Sequence, residues 1–202
     1  MKKVILETNV YEFNELSNEA KEIVKNKYLE SIQSEDFEEI CLDELNSVFK
    51  SSILKIQFSL NSCQGDGFNI YGTLNLNDIL GTLKDSYTGK EIKVLKYYIN
   101  NLSNKVELKE NNDYCYSLVD KLELTWEDDY LDNYGTLNGY NKSVALKFES
   151  DIKNYLEKLC NNYEKMGYGY FYEIEPEELE EICDDNELVF NIDGTMFLGK
   201  VI

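Results

Sequence analysis

The sequence predicts an α+β protein, a single domain over residues 1–202 in which helices pack on an antiparallel sheet. Three observations point there. Short β-favouring runs are joined by turn chemistry, as in Ile53 to Leu60 and Phe68 to Leu76 on either side of Gly65-Asp66-Gly67. Longer runs repeat apolar residues at three and four positions, most clearly from Phe148 to Tyr163. Sixteen tyrosines, nine phenylalanines and Trp126 supply an apolar area that a disordered acidic chain lacks.

Each element follows from its local residues. Val4 to Phe13 reads as a first strand, because Val, Ile, Tyr and Phe favour extended backbone. Ser17 is placed to cap a helix carrying Ala20, Ile23, Val24 and Tyr28 at helical spacing. Ser34 caps a second helix. Its apolar face is Phe37, Ile40, Cys41, Leu45, Val48 and Phe49, with Asp36, Glu39 and Asp43 towards water. The two strand-like runs flanking Asn61 to Gly67 follow as a hairpin with a long connection. After the break at Tyr87-Thr88-Gly89 a helix covers Lys90 to Asn100. Asn104 to Lys109 and Tyr114 to Trp126 are strands about a polar turn, and Glu127 to Asn141 is a long loop. The longest helix carries Phe148, Ile152, Tyr155, Leu156, Leu159, Cys160 and Tyr163, and is expected to end before the glycines of Met166 to Tyr172. Pro176 suits the first turn of a short helix with Leu179, Ile182 and Cys183 inward. Leu188 to Asn191 and Thr195 to Val201 close the chain as a hairpin through Asp193-Gly194.

Composition excludes whole classes of mechanism. The formal charge is −19, from 39 acidic against 20 basic residues, and every basic residue is lysine. With no histidine there is no imidazole base or ligand; with no arginine there is no bidentate phosphate clamp. The N-terminus, Met1 to Glu7, has too few apolar residues for a signal peptide, and no run is long enough to span a bilayer, so a cytosolic protein is expected. Five dispersed cysteines without a C-x-x-C argue against a disulfide framework, and Cys41, Cys160 and Cys183 fall on apolar stripes as small buried hydrophobes.

Phe13-Asn14-Glu15-Leu16-Ser17-Asn18-Glu19-Ala20-Lys21 after an opening strand resembles a set of uncharacterised bacteriophage and prophage proteins. So do Ser62 to Gly67 between two strands, the amphipathic run Phe148 to Tyr163, the acidic Glu177 to Glu181 and the Phe190 to Gly194 turn. The resemblance touches both ends and the middle of the chain, and Gln64-Gly65-Asp66-Gly67 is its most specific element. It implies a phage origin and brings no activity with it.

The acidic residues gather in three lysine-free stretches, Tyr28 to Phe49, Leu122 to Asn141 and Met166 to Gly199, which hold 22 of the 39. On the short C-terminal helix the inward residues are apolar, so Glu177, Glu178, Glu180 and Glu181 must all face water. Like charges at i,i+3 and i,i+4 cost a helix a few tenths of a kcal/mol per pair, which calls for a reason. The functional reading is a surface imitating a nucleic-acid backbone, about one charge per 1.7 Å of duplex, offered to a basic groove on another protein. The plainer reading is that an acidic protein keeps its outer faces charged.

The candidate partner-binding residues are Asp128, Asp129, Asp132, Glu173, Glu175, Glu177, Glu178, Glu180, Glu181, Asp184 and Asp185. Gln64 and Asp66 form a second, smaller candidate. Their loop suits anion or lysine binding but lacks the lysine and helix start of a phosphate loop, and its plainer role is a turn. Nothing singles out a catalytic pair among the acids, and no EF-hand register fits Asp128 to Gly139. The sequence therefore predicts a monomeric or dimeric binding protein, with no enzyme activity, cofactor, metal, membrane or direct nucleic-acid contact. The expected partner is a bacterial immune effector, a Cas-type nuclease complex or restriction system, whose basic channel the protein blocks. The alternative is a phage accessory protein that binds through Gln64 to Gly67, its charge aiding solubility only.

Overall fold

Helix starts in this chain are written in short polar signals, and they place most of its elements. In the computed structural model, which describes residues 8–61, 66–101, 104–111 and 139–198, the Ser17 hydroxyl accepts from the Ala20 amide at 3.3 Å and opens α1, Asn18–Ser31. Helix α2 spans Ser34–Val48. Strands β1, Ile53–Ser59, and β2, Gly67–Asn75, pair antiparallel with Ile53 opposite Thr73 and Ser59 opposite Gly67. Helix α3, Leu76–Leu83, follows directly; α4, Gly89–Asn101, leads to β3, Lys105–Leu108, which pairs antiparallel with β2. The long α5, Gly139–Tyr172, and the short α6, Pro176–Asp185, complete the set. The fold is α+β, with six α-helices and one sheet of order β1-β2-β3 among the described residues.

The chain groups into two compact units, one of Met1–Ser34 with Tyr168–Ile202, the other Glu35–Gly167. In the second unit, Phe37, Cys41 and Leu45 are buried along one side of α2, and Phe49 is buried just past its end. The Phe37 ring meets Phe58 edge-on at 5.3 Å, and Phe58 stacks on Phe68 at 5.9 Å. Helix α5 buries Val144, Phe148, Ile152, Leu156, Cys160 and Tyr163, with Tyr163 at 5.1 Å from the Phe68 ring. Thr88 and Glu91 form a reciprocal capping box at the start of α4, 2.7 Å from the Thr88 amide to Glu91 Oε2 and 3.3 Å from the Glu91 amide to Thr88 Oγ1. The Thr88 amide and hydroxyl, both donating to Glu91 Oε2, hold that carboxyl below its ordinary pKa. Tyr87 donates its hydroxyl to Asp151 of α5, and Lys147 lies 4.3 Å from the Tyr87 ring centre while donating to the Ser86 carbonyl.

In the first unit, Phe13, Leu16, Ala20, Val24, Ile174, Leu179, Cys183 and Phe190 make one buried cluster. Tyr11 and Phe190 exchange both backbone hydrogen bonds at 2.9 Å and tie the two halves of the unit together.

Five expectations need correction in whole or in part. Residues 8–12 hold a single bridge at Tyr11 rather than a strand, because the chain turns into a 3₁₀ turn at Phe13–Glu15, where Glu15 caps the Glu12 amide. Strand β2 ends at Asn75, one residue before the expected Leu76, and Leu76–Leu83 form a helix that was not expected. Asn75 caps the Asn77 amide at 2.9 Å, and Asp78 takes hydrogen bonds from the Ser51 amide and the Ser52 hydroxyl. Helix α5 continues through Gly167 and Gly169 to Tyr172, so these glycines are not a break. A Cβ at Gly167 would lie 2.3 Å from Leu60 Cδ1 and 3.0 Å from Phe37 Cζ, so close packing asks for glycine there. Of the closing hairpin, the described residues hold one bridge between Phe190 and Met196, flanked by bonds from the Asn191 amide to the Thr195 carbonyl and from the Phe197 amide to the Val189 carbonyl. On α2, Ile40 and Val48 are 48% and 40% exposed and lie outside the buried stripe. The expected strand Tyr114 to Trp126 lies outside the described residues.

Candidate functional site

Helix α6 is fixed by what it buries. Pro176 sits in the first turn, where its missing amide hydrogen has no partner to lose, and Leu179 and Cys183 are 2% and 1% exposed. At 100° per residue, Glu177, Glu178, Glu181, Asp184 and Asp185 then fall within an arc of roughly 120° on the opposite side. All five are exposed, as are Glu173 and Glu175 ahead of the helix. Glu180 is the exception: it is half-buried at the edge of the inner face, not turned fully to water.

The arrangement runs against helix electrostatics. Glu177 and Glu178 suit the positive end of the macrodipole, but Asp184 and Asp185 sit at the negative end, where no basic residue offsets them. Glu181 has like charges at i−4, i−3, i+3 and i+4. The helix ends instead in a backbone lock: the Leu188 amide donates to the Cys183 carbonyl at 2.9 Å and the Glu187 amide to Asp184 at 3.0 Å. Glu187 holds the left-handed position, φ +52°, that glycine usually occupies there.

The charge is local to the C-terminal segment. Within the first unit, Met1–Ser34 carries six acids against five lysines, whereas Tyr168–Ile202 carries ten against one. Asp193 closes the following turn, accepting from the Thr195 hydroxyl at 2.6 Å and its amide at 2.9 Å. Those bonds, with a smaller contribution from Lys27, lower its pKa. Gly194 takes φ +81°, and a Cβ there would lie 2.3 Å from the Ala20 carbonyl oxygen, so the turn rests directly on α1.

Between α1, α6 and this turn lies a cavity of about 320 Å³, which sequence reasoning did not anticipate. Its walls come from segments some 150 residues apart, and no local pattern announces it. Cys183 lines it, but burial pushes that thiol's pKa up, so it is no thiolate site.

Of the remaining candidates, Asp66 accepts a hydrogen bond from Ser59 at 2.7 Å across the hairpin, as a turn-forming carboxylate does. Gln64, Asp128, Asp129 and Asp132 lie outside the described residues. Six further carboxylates, Glu35, Asp36, Glu38, Glu39, Asp43 and Glu44, are exposed on α2 in the second unit. Among the described residues no group of acidic or thiol side chains is arranged to hold a metal ion, and no helix is long and apolar enough to cross a membrane. No protein-family model matches the chain, and neither a curated protein nor a solved structure shows significant similarity to it.

Proposed function

We propose that the protein acts by binding, its carboxylates occupying the cationic nucleic-acid site of another protein and blocking it stoichiometrically. The observation that carries this reading is the exposed arc of Glu177, Glu178, Glu181, Asp184 and Asp185, continued by Glu173 and Glu175, with no lysine between Met166 and Gly199. Such a surface is attracted to lysine- and arginine-lined grooves, with association accelerated at low salt and screened within about 8 Å at physiological ionic strength. The likeness of its sequence motifs to phage proteins makes a bacterial defence nuclease of CRISPR or restriction type the target class. A binder working through Gln64 to Gly67 is the second reading; the Ser59 to Asp66 hydrogen bond gives that carboxylate a structural task instead.

The test compares the protein with a variant carrying Glu177→Gln, Glu178→Gln, Glu181→Gln and Asp184→Asn, assayed as an inhibitor of purified CRISPR and restriction nucleases at 20 and 200 mM salt. These four side chains are exposed, so the fold is expected to survive. Inhibition that falls at least tenfold in the variant and weakens at the higher salt supports the reading. Inhibition indifferent to both changes removes it.

A further inference from the structure

The cavity and the acidic arc share one helix. Ile182 lines the cavity, and at helical spacing Glu178 and Asp185 stand at i−4 and i+3 from it, which makes them exposed neighbours of a lining residue on the α6 side. The floor is the open end of the unit's own core, with Val24, Leu179 and Phe190 buried, while Leu188 is half-buried and Met196 is 46% exposed at the rim. Two more of the chain's exposed large apolar side chains belong to the same closing turn, Ile192 at 73% and Leu198 at 89%. An apolar recess with carboxylates along one flank has the anatomy of an interface hot spot, where one anchor is desolvated beside a polar rim.

The volume and the charge decide what fits. About 320 Å³ is at the small end of the roughly 300–1,000 Å³ range of ligand pockets, so the recess suits a single large side chain better than an extended cofactor. An anionic occupant would find Lys27 in the lining, but that side chain is exposed to water, and the carboxylates along α6 repel negative charge. A cationic head on an apolar body would meet no carboxylate within the recess itself.

We infer that the recess takes one bulky apolar side chain, aromatic or long aliphatic, from a polypeptide segment whose flanking residues are lysine or arginine. The apolar residue enters between α1 and α6, and the flanking cations meet Glu178, Asp185 and the rest of the arc. The inference rests on the charge reading above and sharpens it: the partner surface is basic and carries an apolar knob.

The experiment uses the full chain with labelled methyl groups and three synthetic pentapeptides: phenylalanine between lysine pairs, alanine between lysine pairs, and phenylalanine between serine pairs. The expected result is that the lysine-flanked phenylalanine peptide shifts the methyl signals of Val24, Leu179, Ile182 and Leu188. It should bind at least tenfold tighter than either of the others. Ile182→Gln, and separately the rim variant Met196→Gln, should erase the advantage of phenylalanine over alanine while leaving the salt dependence unchanged. Equal, salt-dependent affinity for the two lysine-flanked peptides overturns the inference and leaves the charge reading standing. Failure of both lysine-flanked peptides to bind at low salt overturns both. Octanoate moving the same signals at lower concentration than the peptide overturns the inference in favour of a small amphiphilic acid.

Discussion

Two glycines in one helix, Gly167 and Gly169, should respond to alanine with opposite signs. In a helix interior alanine is favoured over glycine by about 0.8–1.0 kcal/mol, because glycine loses more backbone freedom on folding. At Gly169 nothing among the described residues lies within 4 Å of the new Cβ, so that gain stands, and Gly169→Ala should stabilise by about 0.5–1 kcal/mol. At Gly167 the Cβ would lie 2.3 Å from Leu60 Cδ1 and within 3.2 Å of two Phe37 ring atoms. Phe37 is 0% exposed and Leu60 6%, so neither side chain has free space to enter. Overpacking of this kind costs about 1–3 kcal/mol and outweighs the propensity gain, so Gly167→Ala should destabilise by about 1 kcal/mol net. Urea unfolding followed by circular dichroism resolves the difference, and thermal midpoints should separate by some degrees. Shortening Leu60 to valine should relieve the clash, so Leu60→Val and Gly167→Ala together should be less damaging than the sum of their separate effects. If Gly167→Ala stabilises as much as Gly169→Ala, then Leu60 and Phe37 do not pack against Gly167 as described.

Further consequences follow from the same physics. Glu187→Gly should stabilise by about 0.5–1 kcal/mol, since glycine meets the left-handed φ without strain and one anion leaves the negative end of α6; denaturant midpoints measure it. Burial, and then the hydrogen bond and charge of Asp151, push the Tyr87 hydroxyl's pKa upward. A folded-state pKa raised above the unfolded one contributes stability that is complete below about pH 10 and is lost as pH rises further. Tyr87→Phe should therefore be less stable by about 1.5 kcal/mol near pH 7, with a shallower loss in alkali. Burial also raises the Cys41 thiol to about 12, with Glu44 adding to it, and Cys160 is equally enclosed. Neither should be alkylated by iodoacetamide at pH 8 until denaturant is added, as peptide mass mapping will report.

The legible parts of the fold were those with a signal in neighbouring residues. Ser17 and Pro176 mark helix starts because an oxygen or a missing amide acts within one turn, and the β1–β2 hairpin announces itself by β-rich runs on either side of glycine. The outward carboxylates of α6 were readable for the same reason: Leu179, Ile182 and Cys183 fix the inner face, and the acids take what remains. Failures arose where tertiary contact overrides local preference. Leu76 looks like the end of a strand, yet β2 stops at Asn75, and Asp78 recruits Ser51 and Ser52 from 27 and 26 residues earlier at the start of α3. The Gly167 and Gly169 pair looks like a stop, but the first serves close packing and the second is tolerated in a helix held by its neighbours. Glu180 shows how coarse a helical wheel is, since its position at the edge of the inner face half-buries it. The cavity was invisible because its walls meet only after folding.

The measurement closest to the central claim is direct competition for one site. A defence nuclease that the protein inhibits is loaded with labelled nucleic acid and titrated with the unlabelled protein, and the reverse titration is run on the protein-bound enzyme. Mutual displacement is expected, one protein per nucleic-acid site, lost in the variant neutralised at Glu177, Glu178, Glu181 and Asp184. A stable ternary complex holding nucleic acid and protein together would contradict it.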